Sequence, residues 1–109
     1  MNKKIEFEKD GKKYVLEYTR ENVALMEKQG FSVGELTTKP MLMLPLAFQG
    51  LFYKNHRNVN KAFVDEVYDN FKDKDKLLET IAVMLEECYS SLTDENKEDD
   101  KGNIDWKIV

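Results

Sequence analysis

The stretch from Pro40 to Asn55, PMLMLPLAFQGLFYKN, constrains this chain more than any other. Between Met41 and Tyr53 only Pro45, Gln49 and Gly50 fall outside the hydrophobic class, in a protein that is 35% charged. A helix that is apolar on all sides must be buried in the protein or shared with a partner. The run is too short to span a membrane, which takes about 20 apolar residues. Pro45 has no N–H to give to residue 41. Either the regular helix starts near Met43, with Pro45 in its first turn, or it starts at Pro40 and bends; the first is the expectation. Leu44, Phe48, Leu51 and Phe52 then form one face, with Leu46, Tyr53 and Leu42 more to the other side. Met41, Leu42, Met43, Leu44 and Leu46 crowd its N-terminal end, and flexible methionines adapt to varied apolar surfaces. These five are candidate partner-binding residues, balanced against a plain core role.

Upstream, residues 3–19 read as a β-hairpin. Ile5 and Phe7 alternate with Glu6 and Glu8, and Tyr14, Leu16 and Tyr18 with Val15, Glu17 and Thr19. Asp10-Gly11 between them is the signature of a type I′ turn, whose two central residues need positive φ. A two-residue loop fixes the register: Lys9 opposite Lys12, Phe7 opposite Tyr14, Ile5 opposite Leu16. The other face pairs Glu8 with Lys13 and Lys4 with Glu17. A lone hairpin is marginal in water and needs helices or a third strand against its apolar face.

Thr19 is placed to cap a helix over about 20–29, with Gly30 at the position that favours left-handed φ. Ser32-Val33-Gly34-Glu35 has the S-x-x-E form of a capping box, and Phe31 and Leu36 the spacing of a hydrophobic staple, for a short helix at 33–37. The apolar helix follows at about 43–55. Phe63, Val64, Val67, Tyr68 and Phe71 mark a helix at 60–71, capped by Asn58 or Asn60. Leu77, Leu78, Ile81, Leu85, Cys88 and Leu92 mark another at 75–92. The expected fold is therefore α+β: a mainly α-helical single domain over residues 1–92, with four to five helices and an N-terminal hairpin.

Residues 93–109 read as an acidic, flexible tail. From Thr93 to Asp105 there are six acids and two bases, which accounts for the whole net charge of −4. The body is thus balanced, and nucleic acid, which calls for a basic face, is not an expected partner. Ile104, Trp106 and Ile108 alternate with Asp105 and Lys107, the pattern of a strand at 104–108. This arm is a candidate for addition to a sheet edge in the same or another molecule; a disordered tail is the alternative.

No catalytic constellation is present. His56, the single histidine, has no identifiable acid and nucleophile beside it and reads as a helix-end residue. Cys88 lies on an apolar stripe and reads as a small buried hydrophobe. One cysteine excludes an intrachain disulfide. Asp65-Glu66 and Glu86-Glu87 are adjacent on helices, point in different directions and read as solvated faces. No metal-ligand spacing and no cofactor motif occurs. MNKKIEFEKDG has no apolar stretch after its lysines, so no signal peptide is expected.

The order EYTRENVALMEKQGFSVGEL, KPMLMLPLAFQGLFYKNHRNV, DEVYDNF and IDWKIV resembles the small tail assembly chaperones of long-tailed phages and prophages of Firmicutes, some of them catalogued only as a domain of unknown function. The resemblance covers nearly the whole chain and is most specific from Tyr18 to Leu36 and from Pro40 to His56. It implies a non-catalytic, oligomer-forming protein of the host cytoplasm, absent from the mature virion. Such a protein coats the tape-measure protein before the tail tube polymerises and helps recruit tail-tube subunits. It also implies that a longer, frameshifted form could extend the acidic end. A small phage-encoded regulatory or inhibitor protein, acting by protein–protein binding through the terminal strand, is the alternative.

Overall fold

The computed structural model describes residues 3–93 and 104–109. Two strands, β1 (Ile5–Lys9) and β2 (Lys12–Leu16), are followed by α1 (Arg20–Lys28), a 3-10 turn (Val33–Glu35), α2 (Pro40–Gly50), α3 (Lys61–Asn70) and α4 (Lys74–Ser90). The α+β class expected from the sequence is the one observed. No helix among the described residues is long and apolar enough to cross a membrane.

The hairpin forms with the register its loop dictates: Ile5 opposite Leu16, Phe7 opposite Tyr14, Lys9 opposite Lys12. Asp10 and Gly11 adopt φ of 54° and 80°, the I′ geometry. Phe7 and Tyr14 stack at 4.9 Å, and Phe7 meets Phe71 edge-on at 5.2 Å. The hairpin thereby lays its aromatic face on α3 and on the turn after α2, through Phe63, Phe71 and Phe52, the cover that a two-stranded sheet needs. Leu16 and Tyr18 pass into the core, where the Tyr18 hydroxyl donates to the Ala47 carbonyl at 2.6 Å. That bond satisfies a buried phenol and pins the strand exit to α2.

The caps follow the sequence in most places. Thr19 Oγ1 accepts from the Asn22 N–H at 3.1 Å, and Gly30 takes φ of 105°. Asn60 Oδ1 accepts from the Phe63 N–H at 2.8 Å, which identifies Asn60 rather than Asn58 as the cap of α3. The capping box does not form. Ser32 makes no side-chain cap, the helix expected at 33–37 is one 3-10 turn, and the Ser32 N–H points at Met43 Sδ, 3.3 Å away. At α4 the helix stops at Ser90, so Leu92 lies beyond it and is exposed, while Met84 joins the buried stripe.

α2 departs from the expected bounds at both ends. It starts at Pro40, with Pro45 inside it, rather than near Met43. The N–H that Pro45 lacks would have bonded the carbonyl of Met41, a residue standing in solvent, so water can take its place. It ends at Gly50 rather than at Asn55. Beyond Leu51 the N–H groups of Phe52 and Tyr53 bond to carbonyls three residues back, at 3.1 and 3.3 Å, and the chain tightens out of the helix. Leu51 and Phe52 are nevertheless fully buried, with Met43, Ala47 and Phe48, and form the centre of the core. Gly50 is required there: a β-carbon at this position would run into the Met26 side chain of α1.

The turn after α2 also clasps the hairpin. The Leu51 carbonyl accepts from the Glu17 N–H at 3.2 Å. Asn55 Nδ2 donates to the Val15 carbonyl at 3.1 Å, and His56 Nε2 accepts from the Val15 N–H at 3.0 Å. The outer edge of β2 is closed at Val15 by these groups.

The terminal strand expected at 104–108 does not form. Ile104, Trp106 and Ile108 are exposed and carry no strand pairing. An alternating segment becomes a strand only when it pairs with a ladder partner, and in this copy 104–109 stands exposed and unpaired. The acidic stretch 94–103 lies outside the described residues.

Candidate functional site

The N-terminal half of α2 and the middle of α3 enclose an apolar cleft of about 400 Å³. Residues four apart on a helix lie one above the other. Met41 and Pro45 on one row and Pro40, Leu44 and Phe48 on the next therefore make one wall, and Tyr68 and Asp69 stand above Val64 and Asp65 on the other. Phe48 closes the floor, fully buried and edge-on to Tyr68 at 5.3 Å. Asp65 and Asp69 put carboxylates at the rim. Asp65 is held by Lys61 at 2.8 Å, and Lys74 lies 5.6 Å from the Tyr68 ring.

The candidate residues of the apolar run divide three ways. Met41 and Leu44 line the cleft. Met41 is 88% exposed and its neighbour Leu42 is 64% exposed, the two most open apolar side chains of the helical body. Leu46 is half-buried against the core. Met43 is a correction: it is buried in the core, with its Sδ at the Ser32 N–H, and is not exposed to a partner as Met41 is. Ile104, Trp106 and Ile108 are not brought to the cleft. The α3 wall, with Val64, Asp65, Tyr68 and Asp69, was outside the expected site. The Asp65–Asp69 spacing was the signal available for it, since it sets two acids on one helical row beside the apolar stripe.

His56, Glu17 and Cys88 are each held in contacts that support the fold. His56 Nε2 is committed to the Val15 N–H, and burial together with the nearby Lys12 charge holds its imidazole below the usual pKa. Glu17 is 5% exposed. Burial alone would raise its pKa, but hydrogen bonds from Asn55 at 2.9 Å and Lys54 at 3.2 Å, with the charges of Lys54 and Lys4, bring it below the usual value. Burial pushes the Cys88 thiol up, against a smaller opposing effect of Arg20, so the sulfur is a poor nucleophile. Among the described residues no group of three or more His, Cys, Asp or Glu converges into a metal site. What the cleft offers is an apolar slot with an acidic lip, suited to apolar side chains flanked by a lysine or arginine.

A family model described as a domain of unknown function (DUF5055) matches residues 1–109. No curated protein and no solved structure matches the chain.

Proposed function

We propose that this chain, which belongs to the DUF5055 family over residues 1–109, is a non-catalytic tail assembly chaperone that seats helical segments of a tape-measure protein. The observation that carries the reading is the α2–α3 cleft together with Met41 and Leu42, which leave the open end of an otherwise buried apolar helix in solvent. A helix-in-groove contact needs an apolar slot that accepts side chains at helical spacing. A chaperone that coats a long helical protein in many copies needs that contact to be adaptable and displaceable. Methionine and proline at the mouth supply adaptability, and the modest cleft keeps each contact weak. The acidic lip would favour segments that carry basic residues beside their apolar stripe. The sequence order that resembles the phage chaperones supports the same assignment, with release to tail-tube subunits as the step that follows.

The test is co-expression of the full chain with overlapping fragments of a tape-measure protein from the same genome. At least one fragment should stay soluble and co-purify with the parent, and be lost with Met41→Asp or Leu44→Asp. Fragments that neither bind nor gain solubility would overturn the reading.

A further inference from the structure

β1 keeps an open edge. In a hairpin closed by Lys9 and Lys12, that pair exchanges its backbone groups, as do Phe7 with Tyr14 and Ile5 with Leu16. The residues between turn theirs outward: Lys13 and Val15 on β2, Glu6 and Glu8 on β1. Those of Val15 are both taken, by His56 and Asn55. Among the described residues nothing takes those of Glu6 or Glu8. A groove of about 600 Å³ lies between β1 and α3, with Phe7, Val67 and Phe71 among its lining and both acids (Glu6, Glu8, Glu66) and lysines (Lys9, Lys72) around them. An unpaired strand edge is a template for another strand.

The same chain displays a segment of matching pattern. Trp106 is 81% exposed, and Ile104 and Ile108 stand out with it, while Asp105 and Lys107 alternate between them. We infer that Ile104–Val109 of one copy adds as a parallel strand to β1 of a second copy. Charge chooses the direction. With Lys107 beside Glu6, a parallel strand sets Asp105 beside Lys4, while Trp106 falls beside Ile5 and Ile108 beside Phe7 on the apolar face. An antiparallel strand with Lys107 beside Glu6 or Glu8 would set Asp105 beside Glu8 or Asp10, acid against acid. In the parallel register the Glu6 N–H donates to the Trp106 carbonyl, the Ile108 N–H donates to the Glu6 carbonyl, and the Glu8 N–H donates to the Ile108 carbonyl. A second copy is the occupant because in one copy the segment stands clear of the edge. Each copy then holds one donor segment and one acceptor edge, and the contact is head-to-tail. It uses neither Met41 nor the α2–α3 cleft, so its failure would leave the proposed function standing.

Sedimentation equilibrium of the full chain over a wide concentration range tests it. The average mass should rise above the 12.8 kDa of one copy. A Trp106→Ala/Ile108→Ala variant, altered only at exposed positions, should fold as the parent does and stay monomeric. Glu6→Pro removes an outward N–H that β2 does not use, and should also be monomeric. Mixing the two should give a heterodimer and nothing larger, since one keeps the edge and the other keeps the segment. If circular dichroism shows that Glu6→Pro does not fold, Glu6→Lys takes its place, with Lys107→Glu added to restore association. A parent that keeps one-copy mass throughout, or a Trp106→Ala/Ile108→Ala variant that associates as the parent does, would overturn the inference. So would a mixture that forms no heterodimer.

Discussion

The side chain of His56 stands in for a third strand at Val15. Its Nε2 accepts the Val15 N–H at 3.0 Å, while Asn55 donates to the carbonyl of the same residue. Two consecutive side chains thus satisfy both outward backbone groups of one strand residue. The hairpin is anchored to the end of the apolar helix as well as laid on it.

This anchor makes stability depend on pH. Only the neutral ring can accept at Nε2. Because the folded-state pKa is lowered, the unfolded chain binds more protons in the window below the ordinary value of 6.5. The contribution is therefore complete above that value and is lost as pH falls through it and through the folded-state pKa. Urea denaturation from about pH 8 to about pH 5 should show the decline. His56→Gln, which keeps an acceptor without titrating there, should flatten it.

Glu17 is a buried carboxylate whose partners come from the same clasp. Glu17→Ala removes the acceptor of Lys54 and one of the two acceptors of Asn55, and should cost about 1–3 kcal/mol by denaturant titration at neutral pH. The lowered folded-state pKa places its stabilisation above the ordinary 4.5, to be lost as pH falls through the carboxylate range. The variant should show a shallower acid limb than the parent.

Gly50 and Met26 fix how closely α2 approaches α1. Gly50→Ala forces a fully buried methionine to move and should destabilise by about 1–3 kcal/mol. Met26→Ala opens a cavity and should cost about 2–5 kcal/mol. The double variant should cost less than the two together, because the new methyl enters the vacated space. Additive losses in thermal or urea melts would contradict the close approach.

Surface and core are separable along one helix. Met41→Asp and Leu42→Asp should each change stability by no more than about 0.5 kcal/mol. Phe48→Ala, about two turns further along α2 at the cleft floor, should cost about 3–5 kcal/mol. Binding measured alongside thermal melts distinguishes the two: the surface variants lose partner capture with the fold intact.

Much of the scaffold was legible in residue order. The hairpin register followed from Asp10-Gly11, because a two-residue I′ loop leaves one alignment. Thr19, Gly30 and Asn60 marked helix ends because their local chemistry satisfies groups that the helix leaves free. The Ser32 box failed for a reason outside its own sequence: Met43 Sδ, eleven residues on, lies at the Ser32 N–H. The cleft was half legible. Met41 and Leu44 stood out by composition, whereas Tyr68 and Asp69 became walls only when α3 was set against α2.

By itself the sequence determined the hairpin, how its two strands pair, the four longer helices and that one apolar run must find cover, all consequences of local geometry and periodicity. Tertiary structure decided how that run is divided. Pro45 was tolerated inside α2 because the carbonyl it leaves free belongs to Met41, which stands in solvent. The helix stopped at Gly50 where it meets Met26, and Met43 was turned inward while Met41 was left outside. Those outcomes depend on which surfaces meet across the chain, which no local pattern encodes.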